Sequence, residues 1–336
     1  MKFPRLKRAL QNLALSAASL MLCFAALEVG LRFCGYGNVE IYAPDPVLYW
    51  KLKPNQNCYT KVDRKSVHIN SLGTRGPEFQ PAKPPNTFRI LCLGDSRTFG
   101  WGLSESETYC GVLQLLLQAH AGGGNKIEVI NAGVNAWSYP QMQAFFREVG
   151  VHYHPDFVVL EGANYWTQFS DKNSPEFVGK FLTRVRLKNF LRRFAIYHYF
   201  VEVKLREFYA RYRTKFIPVD PAQDALFQEQ QHKDPDALFR EAIETLCRLA
   251  QSNNVKPLLL HLPTLDELSS TNQSRDFKIK SEVSDRLKVP LLDLTPDLGS
   301  AGKTLYLEAD PVHLNAEGNK IIAQRLFETL RTPVSP

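Results

Sequence analysis

From Phe88 onward, short apolar runs alternate with amphipathic helical stretches, and this alternation constrains the fold more than any other feature of the chain. The runs are Phe88–Leu93, Ile127–Gly133, Phe157–Leu160, Lys256–Leu262 and Pro290–Leu294. Between and after them the spacing predicts helices near Thr108–Ala119, Tyr139–Val149, Pro235–Gln251 and Asp276–Leu287, with a last one ending near Leu330. Strands separated by helices pair in parallel through right-handed crossovers, which buries both faces of the sheet. The expectation is therefore an α/β domain with a three-layer α/β/α build, long enough to carry one large core and appendages.

The ends of these strands carry polar residues suited to chemistry. The first run breaks at Gly94-Asp95-Ser96, and ligands in open parallel sheets bind beyond the carboxyl ends of the strands. Gly-Asp-Ser alone is also ordinary turn composition. What favours chemistry is Asp310-Pro-Val-His313 near the other end of the chain. A serine hydroxyl is a weak nucleophile, and it needs an imidazole to take its proton and a third group to orient that imidazole. Ser96 is thus the candidate nucleophile, with His313 as base and Asp310 as orienting carboxylate. An acyl intermediate also needs fixed donors for its oxyanion. The Ser96 and Gly133 backbone N–H groups and the Asn164 side-chain amide are the candidates, each at a strand exit. Trp101, Trp137, Tyr165 and Trp166 follow these blocks closely and are expected to rim the site. Such chemistry calls for no metal and no cofactor.

These four blocks, in this order, resemble the SGNH (GDSL-type) hydrolases, serine esterases and acyl-handling enzymes on a flavodoxin-like sheet. Gly94-Asp95-Ser96 matches the first block, Gly133 the second, Gly162-Ala-Asn164 the third and Asp310-x-x-His313 the last. The third block usually ends in aspartate, where this chain has Tyr165. The resemblance implies hydrolysis of an O-acyl, foremost O-acetyl, ester of a glycan or lipid. An O-acyltransferase using the same residues is the alternative, although anchored acetyltransferases of this type often use an Asp-x-His spacing. A noncatalytic glycan- or lipid-binding module is a third reading, disfavoured by the joint presence of Ser96, Asp310 and His313.

Ahead of this domain, nineteen residues without charge, Ala9 to Leu27, follow a basic start and precede Glu28. At ~1.5 Å per residue they cover about 28 Å, close to a bilayer's hydrocarbon thickness. An uncleaved membrane anchor over residues 1–34 is expected in preference to a cleaved signal peptide, since no small-x-small cleavage site follows the apolar stretch. Four basic residues precede it and only Arg32 closely follows, which places the N-terminus in the cytoplasm. The enzyme domain then faces the periplasm or cell exterior of a bacterium, on a single-pass inner-membrane protein. Residues 35–87 are rich in proline yet carry Tyr42, Tyr49, Trp50 and Tyr59, so they are expected to run extended and packed over the domain. The stretch Asn70–Glu78 is similar to the lead-in of membrane-anchored members of the family.

The domain proper, 88–336, is expected to contain a helical insertion over 170–234. From Lys180 to Lys215 it holds eleven Lys/Arg and two Glu, a local charge of +9 against +7 for the whole chain. The basic pI therefore belongs to this one segment. Leu187, Leu191, Phe194, Val201, Leu205, Phe208 and Tyr212 recur at helical spacing. One reading is a cap whose apolar side packs on the domain while its basic side is solvated. The other is a helix on an anionic membrane surface. Nucleic acid is a poor partner for a domain outside the cytoplasm. The six cysteines form no C-x-x-C pair, and neither a zinc site nor a disulfide framework is implied. His152-x-His154 lacks an evident third ligand, and His261 is expected to be a satisfied core histidine.

Overall fold

The structure is a computed structural model that describes residues 3–60, 64–121, 125–162, 174–205, 208, 234–270, 272–308 and 310–331. It begins with a long helix, α1 (Phe3–Phe33). Four short strands follow as two antiparallel hairpins, β1 (Tyr42–Asp45) with β2 (Tyr49–Leu52) and β3 (Gln56–Tyr59) with β4 (Ser66–Ile69). The proline-rich lead-in is thus non-helical as expected, but it is paired into hairpins rather than simply extended.

The domain then runs β5 (Thr87–Gly94), α2 (Ser96–Phe99), α3 (Tyr109–His120), β6 (Lys126–Gly133), α4 (Tyr139–Glu148) and β7 (Phe157–Glu161). The insertion contributes α5 (Pro175–Leu191) and α6 (Ala195–Tyr197), which continues as a π-helix over His198–Leu205. The chain closes with α7 (Pro235–Ser252), β8 (Lys256–His261), α8 (Arg275–Leu287), β9 (Leu291–Asp293) and α9 (Ala316–Leu330).

Strands β5 to β9 form one parallel sheet in the order β6-β5-β7-β8-β9. In order of appearance this is 2-1-3-4-5, the flavodoxin-like arrangement, whose switch point lies between β5 and β7. Alternate residues along each strand feed opposite faces. Leu91 and Leu93 join Val158, Leu160, Met142, Phe146, Ile243 and Leu246 in the layer under α4, α7 and α8. Ile90 and Cys92 join Val159, Leu258, Leu113, Leu117, Ile322 and Leu326 in the layer under α3 and α9. Helix starts are fixed locally: Thr108 Oγ1 accepts from Gly111 N–H, and Asn315 Oδ1 accepts from Glu317 and Gly318.

The lead-in is bolted to the β6 edge. Arg75 N–H donates to Asn131 O at 2.9 Å, and the Arg75 guanidinium donates to the Phe99, Gly100 and Leu103 carbonyls at 2.7, 2.9 and 2.6 Å. Those acceptors include carbonyls at the end of α2 that the helix itself leaves unsatisfied. Burial lowers the Arg75 pKa to about 10, so the group stays cationic at neutral pH.

Candidate active site

The sheet delivers Ser96 at the switch point. Strand β5 ends at Gly94, a position that takes only glycine, since a Cβ there would lie 1.9 Å from Thr98 Oγ1. Asp95 caps the turn, its Oδ1 accepting from Arg97 N–H at 2.8 Å. Ser96 is therefore the first residue of α2, half-buried, with a backbone N–H that no intrahelical carbonyl can take.

The second component comes from the loop before α9. Asp310 Oδ1 accepts from the Val312 and His313 N–H groups at 3.0 and 3.1 Å, while Oδ2 lies 2.8 Å from His313 Nδ1. A carboxylate can only accept, so Nδ1 carries the proton and Nε2 presents a lone pair. That Nε2 is 2.7 Å from Ser96 Oγ. Burial raises the Asp310 pKa, but the His313 ring and the two backbone donors outweigh it and hold the carboxyl at about 2. The Trp101 ring lies beside the imidazole, centroids 5.8 Å apart, and both line a cavity of about 10 Å³ with Ser96, Leu262 and Asn319.

Two sequence expectations change here. The Gly133 N–H is not free to serve an oxyanion, because it donates to Asn131 Oδ1 at 3.0 Å. The glycine is needed for close approach instead, since a Cβ would fall 2.3 Å from Phe99 N. Trp137 is no rim residue: it is 2 % exposed, packs on Phe145 and donates from Nε1 to Trp50 O at 2.8 Å. Asn164, Tyr165 and Trp166 lie outside the described residues.

The arrangement of an acceptor imidazole on a serine hydroxyl, oriented by an ionised carboxylate, can activate an oxygen nucleophile. A family model described as GDSL-like Lipase/Acylhydrolase family matches residues 92–321. The chain belongs to this family.

Solved structures of similar fold include TesA, at 17% identity and TM-score 0.46, covering 73% of this chain and 99% of that one. A mutant of Axe2, an acetyl-xylooligosaccharide esterase from Geobacillus Stearmophilus, aligns at 15% identity and TM-score 0.46, covering 72% and 93%. The psychrotrophic esterase EstA from Pseudoalteromonas sp. aligns at 15% and 0.43, covering 73% and 98%. No curated protein sequence matches the chain. As a member of the GDSL-like lipase/acylhydrolases, this chain is a hydrolase acting on ester bonds.

Sequence reasoning missed the charged layer beneath the serine of this GDSL-like hydrolase. Arg97 Nη2 lies 2.6 Å from Glu161 Oε1, Arg97 Nη1 donates to Leu262 O at 2.9 Å, and Lys280 Nζ donates to Leu260 O at 3.0 Å. Thr98 Oγ1 donates to Glu161 Oε2 at 3.1 Å and accepts from Tyr109 OH at 3.0 Å. Burial and the neighbouring Asp95 push the Glu161 carboxyl up, whereas Arg97 and its own hydrogen bonds outweigh burial at Asp95 and pull that carboxyl down. His261, packed edge-on against Phe277 at 5.1 Å, is held neutral by burial, Lys280 and Arg97, its pKa lowered to about 2. The signal available was a charged residue closing an otherwise apolar strand, as Glu161 does after Phe157-Val-Val-Leu160.

Proposed function

We propose that the chain is a serine esterase hydrolysing O-acyl, foremost O-acetyl, esters of an extracytoplasmic glycan or lipid. The observation that carries this is the unbroken line Ser96 Oγ–His313 Nε2–Asp310 Oδ2, at 2.7 and 2.8 Å. Ser96 Oγ attacks the ester carbonyl carbon while its proton passes to His313 Nε2. Asp310, ionised down to about pH 2, stabilises the imidazolium. When the tetrahedral intermediate collapses, the carbon–oxygen bond to the alcohol breaks and His313 returns the proton to that leaving oxygen. Water then attacks the acyl-serine by the same route in reverse, releasing the carboxylic acid and the free serine.

The Ser96 N–H and the Asn164 amide are the oxyanion donors of this reading. The third donor moves from Gly133 to the turn that follows it. That turn is tied to the serine's strand by Val134 N–H donating to Gly94 O at 3.0 Å. Within it Ala136 is exposed at φ +64°, and its N–H has no intramolecular partner among the described residues. Trp101 beside His313 is the aromatic surface for the substrate, joined by Tyr165 and Trp166.

The same proposal reads residues 1–34 as cytoplasmic tail and anchor, 35–87 as packed lead-in and 88–336 as the hydrolase domain with its insertion at 170–234. The apolar helix Lys7–Phe33 has a mean hydropathy of 1.9 over its best window and none of that window is buried against the protein. With the basic residues ahead of it, this supports a single inner-membrane span with the domain outside. A fluorophosphonate probe tests the chemistry: it should label the full-length protein and fail to label Ser96→Ala. Labelling that survives in Ser96→Ala overturns the assignment.

A further inference from the structure

Twenty large apolar side chains stand exposed among the described residues, and they are not scattered. Ten are on α1 and seven lie between Leu187 and Phe208. Contiguous exposed apolar surface marks a contact face, whereas isolated apolar residues are normal.

These two groups are physically joined. Glu28, near the end of α1, accepts from the Ala195 and Ile196 N–H groups at 2.9 and 3.0 Å, so one carboxylate caps the start of α6. The Arg32 guanidinium bonds Glu28 at 2.8 Å and also donates to the Arg193 carbonyl. Just beyond α1, Gly37 N–H donates to His198 Nδ1 at 3.0 Å and Tyr36 packs edge-on against His198 and Tyr199. The insertion is therefore clamped within about one turn of the point where α1 leaves its apolar span.

The two halves of the insertion differ. In the first, Phe177, Val178, Phe181 and Val185 pack on the domain core, with Phe181 stacked on Trp50. In the second, Leu187, Phe190, Phe194, Phe200, Val201 and Leu205 remain exposed. The cap reading thus holds for the first half alone. Arg192 is not on the solvated face, being buried in an ion pair with Glu202 at 2.8 Å. Glu202 is the only carboxylate in the sequence from residue 180 to 205, and Arg184, Arg186, Lys188, Arg193 and Lys204 are exposed.

We infer that residues 187–205 form a membrane-surface element, seated on anionic lipid as a collar beside the outer end of α1. Exposed aromatic and aliphatic side chains enter the interface and the flanking cations meet lipid phosphates, the pattern of an in-plane amphipathic segment. Attachment to α1 selects lipid over a protein partner, because Glu28 and Arg32 hold Arg193, Ala195 and Ile196 at the end of the apolar span. The hydrolase domain, fixed to this collar through Phe181 and Trp50, is then held at a set height and tilt over the bilayer. The inference rests on α1 being a retained span.

Full-length protein in vesicles of brominated phosphatidylcholine and phosphatidylglycerol tests it through added tryptophans. Phe190→Trp and Phe200→Trp should lose most of their added emission to bromine quenching, as should Phe24→Trp within the span. Leu115→Trp, on an exposed face of α3, should lose little. If Phe24→Trp is quenched while Phe190→Trp and Phe200→Trp behave like Leu115→Trp, the collar is wrong and the anchor stands. If Phe24→Trp is unquenched, the anchor fails and the collar with it. Replacing phosphatidylglycerol by phosphatidylcholine should weaken quenching at Phe200→Trp but not at Phe24→Trp. Equal quenching at Phe200→Trp in both vesicles overturns the choice of an anionic surface.

Discussion

Arg97 and Glu161 meet across the switch point of the sheet, guanidinium to carboxylate at 2.6 Å, with side chains 4 % and 0 % exposed. Arg97 follows the serine directly, and Glu161 closes β7 three residues before Asn164. The pair therefore ties the turn carrying the proposed nucleophile to the strand exit carrying the proposed oxyanion amide.

Breaking that pair from one side should be costly. Arg97→Met removes the guanidinium that the buried Glu161 and Asp95 carboxylates both face, and losses of about 3–5 kcal/mol are typical of such lesions. The double variant Arg97→Met with Glu161→Gln removes both charges and should recover a substantial part of the loss in urea unfolding. If the double variant is no more stable than Arg97→Met, the pair is not what the arginine contributes.

Asp310 makes stability depend on acid in a defined window. Its folded-state pKa, about 2, lies below the unfolded value near 3.9. A depressed carboxylate contributes stability that is fully present above the unfolded pKa and is lost as pH falls through the folded one. The contribution is on the order of 2 kcal/mol above about pH 4, fading towards pH 2. Asp310→Asn should therefore be less stable than the parent at pH 6, with the gap closing as pH is lowered. A gap that stays constant down to pH 2 would contradict the assignment.

Gly133→Ala should damage structure rather than remove a donor. The added methyl meets the backbone of Phe99 at 2.3 Å, which a rotamer change cannot relieve. Overpacking of this kind costs about 1–3 kcal/mol. Thermal unfolding should show a lowered Tm, and displacement of α2 should reduce kcat as well. An unchanged Tm would show that the turn gives way freely.

Two of the tryptophans expected at the rim should separate in kinetics. Trp137→Phe loses the hydrogen bond to Trp50 O and should lower stability by roughly 1 kcal/mol while leaving KM for a small acetyl ester unchanged. Trp101→Phe alters the surface beside His313 and should lower kcat/KM with a smaller effect on Tm. A raised KM in Trp137→Phe would restore it to the substrate surface.

Much of the proposed chemistry was legible locally. Apolar runs ending on Gly94, Gly133 and Glu161 mark strand exits because a buried strand must stop where a turn residue or a charge appears. Asp310 and His313 are three residues apart, so one loop suffices to join them. The insertion's helical spacing was also visible, but spacing shows only which residues share a face and not what covers it. Arg192 and Arg193 are adjacent and chemically alike, yet one is buried on Glu202 and the other exposed.

The sequence by itself determined the strand–helix alternation, the four blocks and their order, because each depends on periodicity and turn chemistry within a few residues. Only the tertiary structure decided that Ser96 and His313, 217 residues apart, meet at 2.7 Å, since that follows from a strand order no local pattern encodes. It also committed the Gly133 N–H to Asn131, buried Trp137 against the lead-in and placed Glu28 at the head of α6. Each of these outcomes is a competition among hydrogen-bond partners or packing surfaces, and its winner is set by where the rest of the chain comes to lie.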